Sequence, residues 1–234
     1  MSAINAYLTD DFVVIATDTL AHYKSETAVI PKNFISKTFN LPQFNCCFTI
    51  RGYVALGMTF YHYLNEQVIA NDVETVLQVV KASFFNTLPM DDYPNSHIGT
   101  INLFGYSRAS RTLQGYQLTV TKAGIECSQR KKNEFILWPS AEGINDIIET
   151  FASSENPRSE EYFQQLMTAL LERQKAADQE LPLNLQVGIG GQIQFSLLVK
   201  NEAGTSTIYR TQMIHDFNDF ESTYIRALQG EALK

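Results

Sequence analysis

Few side chains in this sequence are grouped as chemistry would require. The four histidines, His22, His62, His97 and His215, are scattered, and no Cys or His pair has zinc-ligand spacing, so metal binding is not expected. No cofactor is implied either. Cys46 and Cys47 are adjacent in an apolar run; on a strand they point to opposite faces, one into a core and one between layers. Together with Cys127 they do not build a disulfide framework. Gly188-Ile189-Gly190-Gly191 has the glycine density of a phosphate loop but lacks the following Lys-Ser/Thr, and no helix starts after it, so a tight turn among strands is expected. Arg130-Lys131-Lys132 falls between two expected strands and reads as a solvated hairpin tip.

The elements that must position any site alternate in blocks. Ala3 to Leu8, a turn at Thr9-Asp10-Asp11, and the apolar run Phe12 to Ala16 read as a hairpin whose second strand is buried on both faces. After a polar stretch from Thr19 to Lys32, Phe34 to Phe39 and Phe44 to Ile50 read as strands, broken at Pro42. A helix is expected from about Ala55 to Ala70, with Phe60-Tyr61-His62-Tyr63 all round it, which suits burial against a second helix or another subunit. Val73, Val76, Leu77, Val80 and Phe84 mark one face of the next helix, with Asp72 as its N-cap. From His97 to Trp138 the period returns to two, with a hairpin turn at Ala123-Gly124. Two amphipathic helices follow, the second carrying Phe163, Leu166, Met167, Leu170 and Leu171 and starting at Pro157. Leu185 to Val199 and Thr205 to Thr211 read as strands, and Asp216 to Leu228 as a closing helix. Separate blocks of strands and helices point to an α+β fold, with 1–234 as one domain.

Composition narrows the function classes. The chain of 234 residues is 44% hydrophobic and 18% charged, too apolar for a disordered chain. A formal charge of −7 argues against nucleic acid as the principal partner. No stretch approaches the roughly 18 uninterrupted apolar residues of a membrane span. Asp10 and Asp11 interrupt the N-terminus before a signal-peptide apolar region forms, so a cytoplasmic, reducing location is expected.

The segment from Ser2 to Asp18, ending in Ala16-Thr17-Asp18, resembles the start of a mature proteasome β subunit, with Ser2 in place of the N-terminal threonine. Ser36-Lys37-Thr38-Phe39-Asn40-Leu41 is similar to that family's Lys-Lys-Leu-Phe-x-Ile strand, which puts Lys37 on the catalytic lysine. Phe48-Thr49-Ile50-Arg51-Gly52 is similar to its Thr-Ile-x-Gly strand end, whose glycine amide forms the oxyanion hole. The resemblance implies a four-layer αββα sandwich of the N-terminal nucleophile hydrolase type. It further implies a peptidase or amidohydrolase acting on a peptide or protein, assembled as a homo-oligomeric ring, with room for a separate ATPase partner.

The implied chemistry has a physical logic. Methionine before a small residue is normally removable, leaving Ser2 with both a hydroxyl and a free α-amine. That amine titrates near pH 8 or so, about right for a base that takes the hydroxyl proton. Lys37 would keep it neutral by like-charge repulsion, and Asp18 would orient and neutralise Lys37. The Gly52 amide would stabilise the oxyanion, an effect worth about 3–4 kcal/mol in comparable sites. Ala21 and Ile50 would line part of the substrate pocket and favour apolar side chains. The sequence also departs from the family. Gln186 and Ile189 stand where an aspartate and a serine precede the glycine pair, Thr19-Leu20 replaces a basic motif, and only Ser140 in Trp138 to Gly143 could replace a supporting serine. A catalytically inactive structural or binding subunit is therefore the alternative, and an amidase for a small molecule is a third reading.

Overall fold

The computed structural model describes residues 3–25, 27–152 and 159–229. Its strands are β1 (Ile4–Leu8), β2 (Phe12–Asp18), β3 (Leu20–Lys24), β4 (Val29–Phe34), β5 (Thr38–Leu41), β6 (Cys46–Gly52), β7 (His97–Ser107), β8 (Thr112–Thr121), β9 (Gly124–Gln129), β10 (Phe135–Trp138), β11 (Gln192–Lys200) and β12 (Thr207–Asp216). The helices are α1 (Val54–Gln67), α2 (Val73–Ser83), α3 (Ile144–Ala152), α4 (Glu160–Glu180) and α5 (Phe220–Leu228). One five-stranded sheet runs β10-β1-β2-β11-β12 and the other β5-β6-β7-β8-β9, with β3-β4 as a separate hairpin. Every pairing is antiparallel. The α+β class follows.

Local chemistry sets several boundaries. Thr9 Oγ1 accepts from Asp11 N and Phe12 N and donates to Phe12 O, which closes the β1–β2 turn. Asp72 caps α2 by accepting from Thr75 N at 2.9 Å, and Ser159 caps α4 by accepting from Tyr162 N at 3.0 Å. Pro157, expected to open that helix, lies outside the described residues. The polar stretch after Asp18 folds as the β3–β4 hairpin, because its strands pair with each other rather than entering either large sheet. β11 starts only at Gln192, since the glycine-rich stretch before it is engaged by side chains from elsewhere. Asp216, expected to begin a helix, ends β12 instead, where it pairs with Gln192.

Three apolar clusters hold these elements together. Leu56, Phe60 and Leu64 of α1 and Val76 and Val80 of α2 pack on Phe48 and Ile50 of β6 and Leu103 of β7. Phe163, Leu166, Met167 and Leu170 of α4 pack on Val14 and Ala16 of β2 and on Ile193 and Phe195 of β11. The third cluster joins residues of both sheets, among them Ala6, Val13, Ile15, Cys47, Phe104 and Leu113. Strand alternation sorts neighbours between these clusters. Cys46 lies in the cluster with α1 and α2, and Cys47 in the cluster shared by the sheets, as expected of an adjacent pair on a strand.

Candidate active site

Asp18 is the hub of the expected site. It ends β2, is fully buried, and spends both carboxylate oxygens on partners from three distant segments. Oδ1 accepts from Ala3 N at 2.9 Å and from Lys37 Nζ at 2.8 Å; Oδ2 accepts from Gly190 N at 3.3 Å. Ser2 lies outside the described residues, but its neighbour Ala3 is buried and tied to this carboxylate.

Lys37 sits between β4 and β5 rather than on a strand. Its ammonium is buried and also donates to Leu20 O at 2.8 Å. Burial pulls its pKa below the ordinary lysine value, and the charge of Asp18 opposes that pull. Lys37 O accepts from Ile50 N at 3.3 Å, which ties the lysine to β6 two residues before Gly52. Gly52 itself adopts φ +123°, and a Cβ there would lie 2.5 Å from Ile98 O, so only glycine fits. Thus Asp18 and Lys37 are in direct contact, and Gly52 is linked to them through β6.

The remaining expected residues are placed differently. Ile50 is buried, with its Cδ1 against Gly57 of α1, and Ala21 is half-buried on β3. Ser140 is exposed. Burial pushes the Cys46 and Cys47 thiols up, so neither is a ready thiolate nucleophile. Among the described residues no group of three His, Cys, Asp or Glu side chains could hold a metal ion.

Several supporting residues were missed by sequence reasoning. Thr19, noted only as a departure, accepts from Gln192 N through Oγ1 at 2.8 Å, while its carbonyl accepts from Ile35 N at 2.9 Å. It thereby joins β11 to the approach to Lys37. Asp178, near the end of α4, is buried and accepts from Val187 N, from Gly188 N at 2.8 Å and from Ile189 N at 3.4 Å. One turn earlier, Gln174 exchanges two hydrogen bonds with Asn5 of β1 (2.8 and 2.9 Å) and donates to Pro139 O at 2.6 Å. A signal for both existed: Phe163, Met167, Leu170, Gln174 and Asp178 are spaced by three or four, so the apolar stripe of α4 continues as a polar one.

No protein-family model matches the chain, and no curated protein sequence matches it. Solved structures do. An Anbu mutant from Hyphomicrobium sp. strain MC1 aligns with a TM-score of 0.62 at 13% identity, covering 100% of this chain and 95% of that one. Anbu from Yersinia bercovieri, described as an ancestral beta-subunit, gives 0.58 at 11% identity, covering 100% and 95%. A second Anbu structure from Hyphomicrobium sp. strain MC1 gives 0.55 at 11% identity, covering 99% and 94%. The fold is shared with Anbu. This corrects the family suggested by the N-terminal segment, because these whole-chain neighbours are Anbu proteins, a different family from the proteasome β subunits. The motifs behind that reading cover a hairpin, a lysine and a strand end, which are local features that related folds have in common.

Proposed function

We propose that the chain is a proteasome-like hydrolase of the Anbu kind, cutting peptide or amide bonds with Ser2 after Met1 is removed. The observation that carries this reading is the buried contact between Asp18 and Lys37, with the Ala3 amide on the same carboxylate. In this reading the Ser2 hydroxyl attacks the substrate carbonyl and the α-amine takes its proton. The ammonium so formed then protonates the leaving amine, and water hydrolyses the resulting ester by the reverse proton path. Lys37 disfavours a charged α-amine in the resting site, and the Gly52 amide donates to the oxyanion. Ala21 on β3 lines the pocket for an apolar side chain, whereas Ile50 packs against Gly57 of α1. The three apolar clusters support a four-layer αββα sandwich of the N-terminal nucleophile type, as one domain over 1–234.

Ring assembly belongs to the same proposal. Val54 and Met58 on α1 are exposed, and Met58 lines a groove of about 380 Å³ together with Thr59, His62 and Glu66. An exposed helix face that mixes Val54 and Met58 with polar side chains suits contact with a second copy. A second reading, a silent structural subunit, is favoured by the exposure of Ser140 and by the lack of an acid at Gln186.

Intact mass of the untagged protein, with and without a peptide epoxyketone, separates the two. Loss of Met1 and a single covalent adduct support the hydrolase. Retained Met1 with no adduct overturns it in favour of the silent subunit. A panel of fluorogenic peptides then tests the apolar preference, which fails if cleavage after acidic or basic residues is equal or better.

A further inference from the structure

Along β6, Phe48 and Ile50 face the cluster under α1 and α2, while Cys47 joins the cluster between the sheets. Arg51 follows the second direction. Its guanidinium lies 3.8 Å from the ring centroid of Trp138 on β10 and donates to Thr100 on β7 at 3.2 Å. The Arg130 guanidinium, just after β9, donates to Asn102 on β7 at 3.1 Å and to Gln117 on β8. Together with Ile4 and residues of β10, these side chains line a cavity of about 310 Å³.

Among the described residues the lining contains no carboxylate and neither guanidinium forms an ion pair. The oxygens that accept from the two arginines, on Thr100, Asn102 and Gln117, are neutral. Arg130 Nε and Trp138 Nε1 are also buried without a hydrogen-bond partner among the described residues. An arginine cannot shed its proton to escape such a setting. Burial weakens the hold of both guanidinia on their protons, and for Arg51 the charge of Arg130 adds to this. Partly desolvated like charges, surplus donors and an apolar back wall suit a ligand with negative oxygens.

We propose that the Arg51–Arg130 cavity is a binding site for a small oxyanion, a phosphate or carboxylate group held in the fork of the two guanidinia. The cavity volume suits a free anion or a small molecule bearing one. The site stands independently of the assignment of Ser2.

Trp138 is the chain's single tryptophan and sits under Arg51, so its emission reports on the cavity directly. Inorganic phosphate and malonate are titrated separately into the full-length protein, with chloride at matched ionic strength as the control. A saturable change with either anion, and none with chloride, is the expected result; which anion acts identifies the group. Arg130→Gln should weaken that binding about tenfold or more, the equivalent of one charge-assisted contact. No saturable change with either anion, or unchanged affinity in Arg130→Gln, overturns the proposal. If Arg130→Gln does not fold, Arg51→Gln followed by titration calorimetry gives the same comparison.

Discussion

Asp18 and Asp178 grip the same loop from opposite ends. Asp178 accepts from the amides of Val187, Gly188 and Ile189, and Asp18 takes the next one, Gly190. Four consecutive backbone donors are thus satisfied by two buried carboxylates, one from α4 and one from β2. The glycine-rich stretch is held as an anion-binding nest would be, but the anions are the protein's own. The loop therefore connects α4 to the carboxylate that binds Lys37.

Replacing Asp178 by alanine should leave three amides without their acceptor. A loss of about 3 kcal/mol in unfolding free energy is expected, and Asp178→Asn, which keeps one acceptor oxygen, should lose less. Urea denaturation of both variants measures this. Equal losses would mean that charge rather than the acceptor count holds the loop.

Lys37→Met removes the cation and leaves Asp18 with only its amide donors, at an expected cost of about 3 kcal/mol. It should also abolish hydrolysis. The pH dependence has a definite sign. The folded-state pKa of Lys37 lies below its unfolded value of 10.5, so the unfolded chain binds more protons between the two. The contribution of Lys37 to stability must therefore rise with pH across that window. The stability difference between the native protein and Lys37→Met, followed from neutral pH toward the unfolded lysine value, should grow; a shrinking difference would contradict the burial effect.

The Asn5–Gln174 pair joins β1 to α4 through two mutual hydrogen bonds in a fully buried setting. Asn5→Ala and Gln174→Ala should each cost about 2 kcal/mol, because each leaves the partner amide unpaired. The double variant should cost well under the sum. Additive losses in a double-mutant cycle would show that the pair is not coupled.

Gly52→Ala should be among the most damaging small substitutions in the chain. Positive φ and the 2.5 Å approach to Ile98 O act together, so a loss of about 3 kcal/mol or more is expected. Thermal unfolding of the variant checks it.

What the sequence disclosed follows from what periodicity encodes. The α2 stripe, the Asp72 cap and the opposite facing of Cys46 and Cys47 were legible because each is a local rule with one outcome. The β3–β4 hairpin was hidden because its strands pair with each other and their buried residues, Leu20 and Pro31, follow no regular period. Arg130 was misread as part of a solvated tip. Lys131 is exposed and Lys132 pairs with Asp10, but Arg130 turns inward to amide oxygens on β7 and β8, which only the folded sheet brings together. Of the candidate site, Asp18 and Lys37 were singled out by the N-terminal segment, and the structure brings the two into contact. Asp178 left only the polar continuation of the α4 stripe as a mark, because the backbone amides it holds carry no side-chain pattern.

The two sides of β6 also constrain how the gene can change. Ile50 belongs to the layer under α1, while its neighbour Arg51 lines the cavity between the sheets. A one-residue insertion or deletion upstream within the strand would exchange them, driving a guanidinium into hydrocarbon and leaving the cavity with an isoleucine. Substitutions can be tried at these positions one at a time, but the reading length of β6 is fixed. Over descent, the cavity and the strand end at Gly52 must therefore be inherited as a single unit.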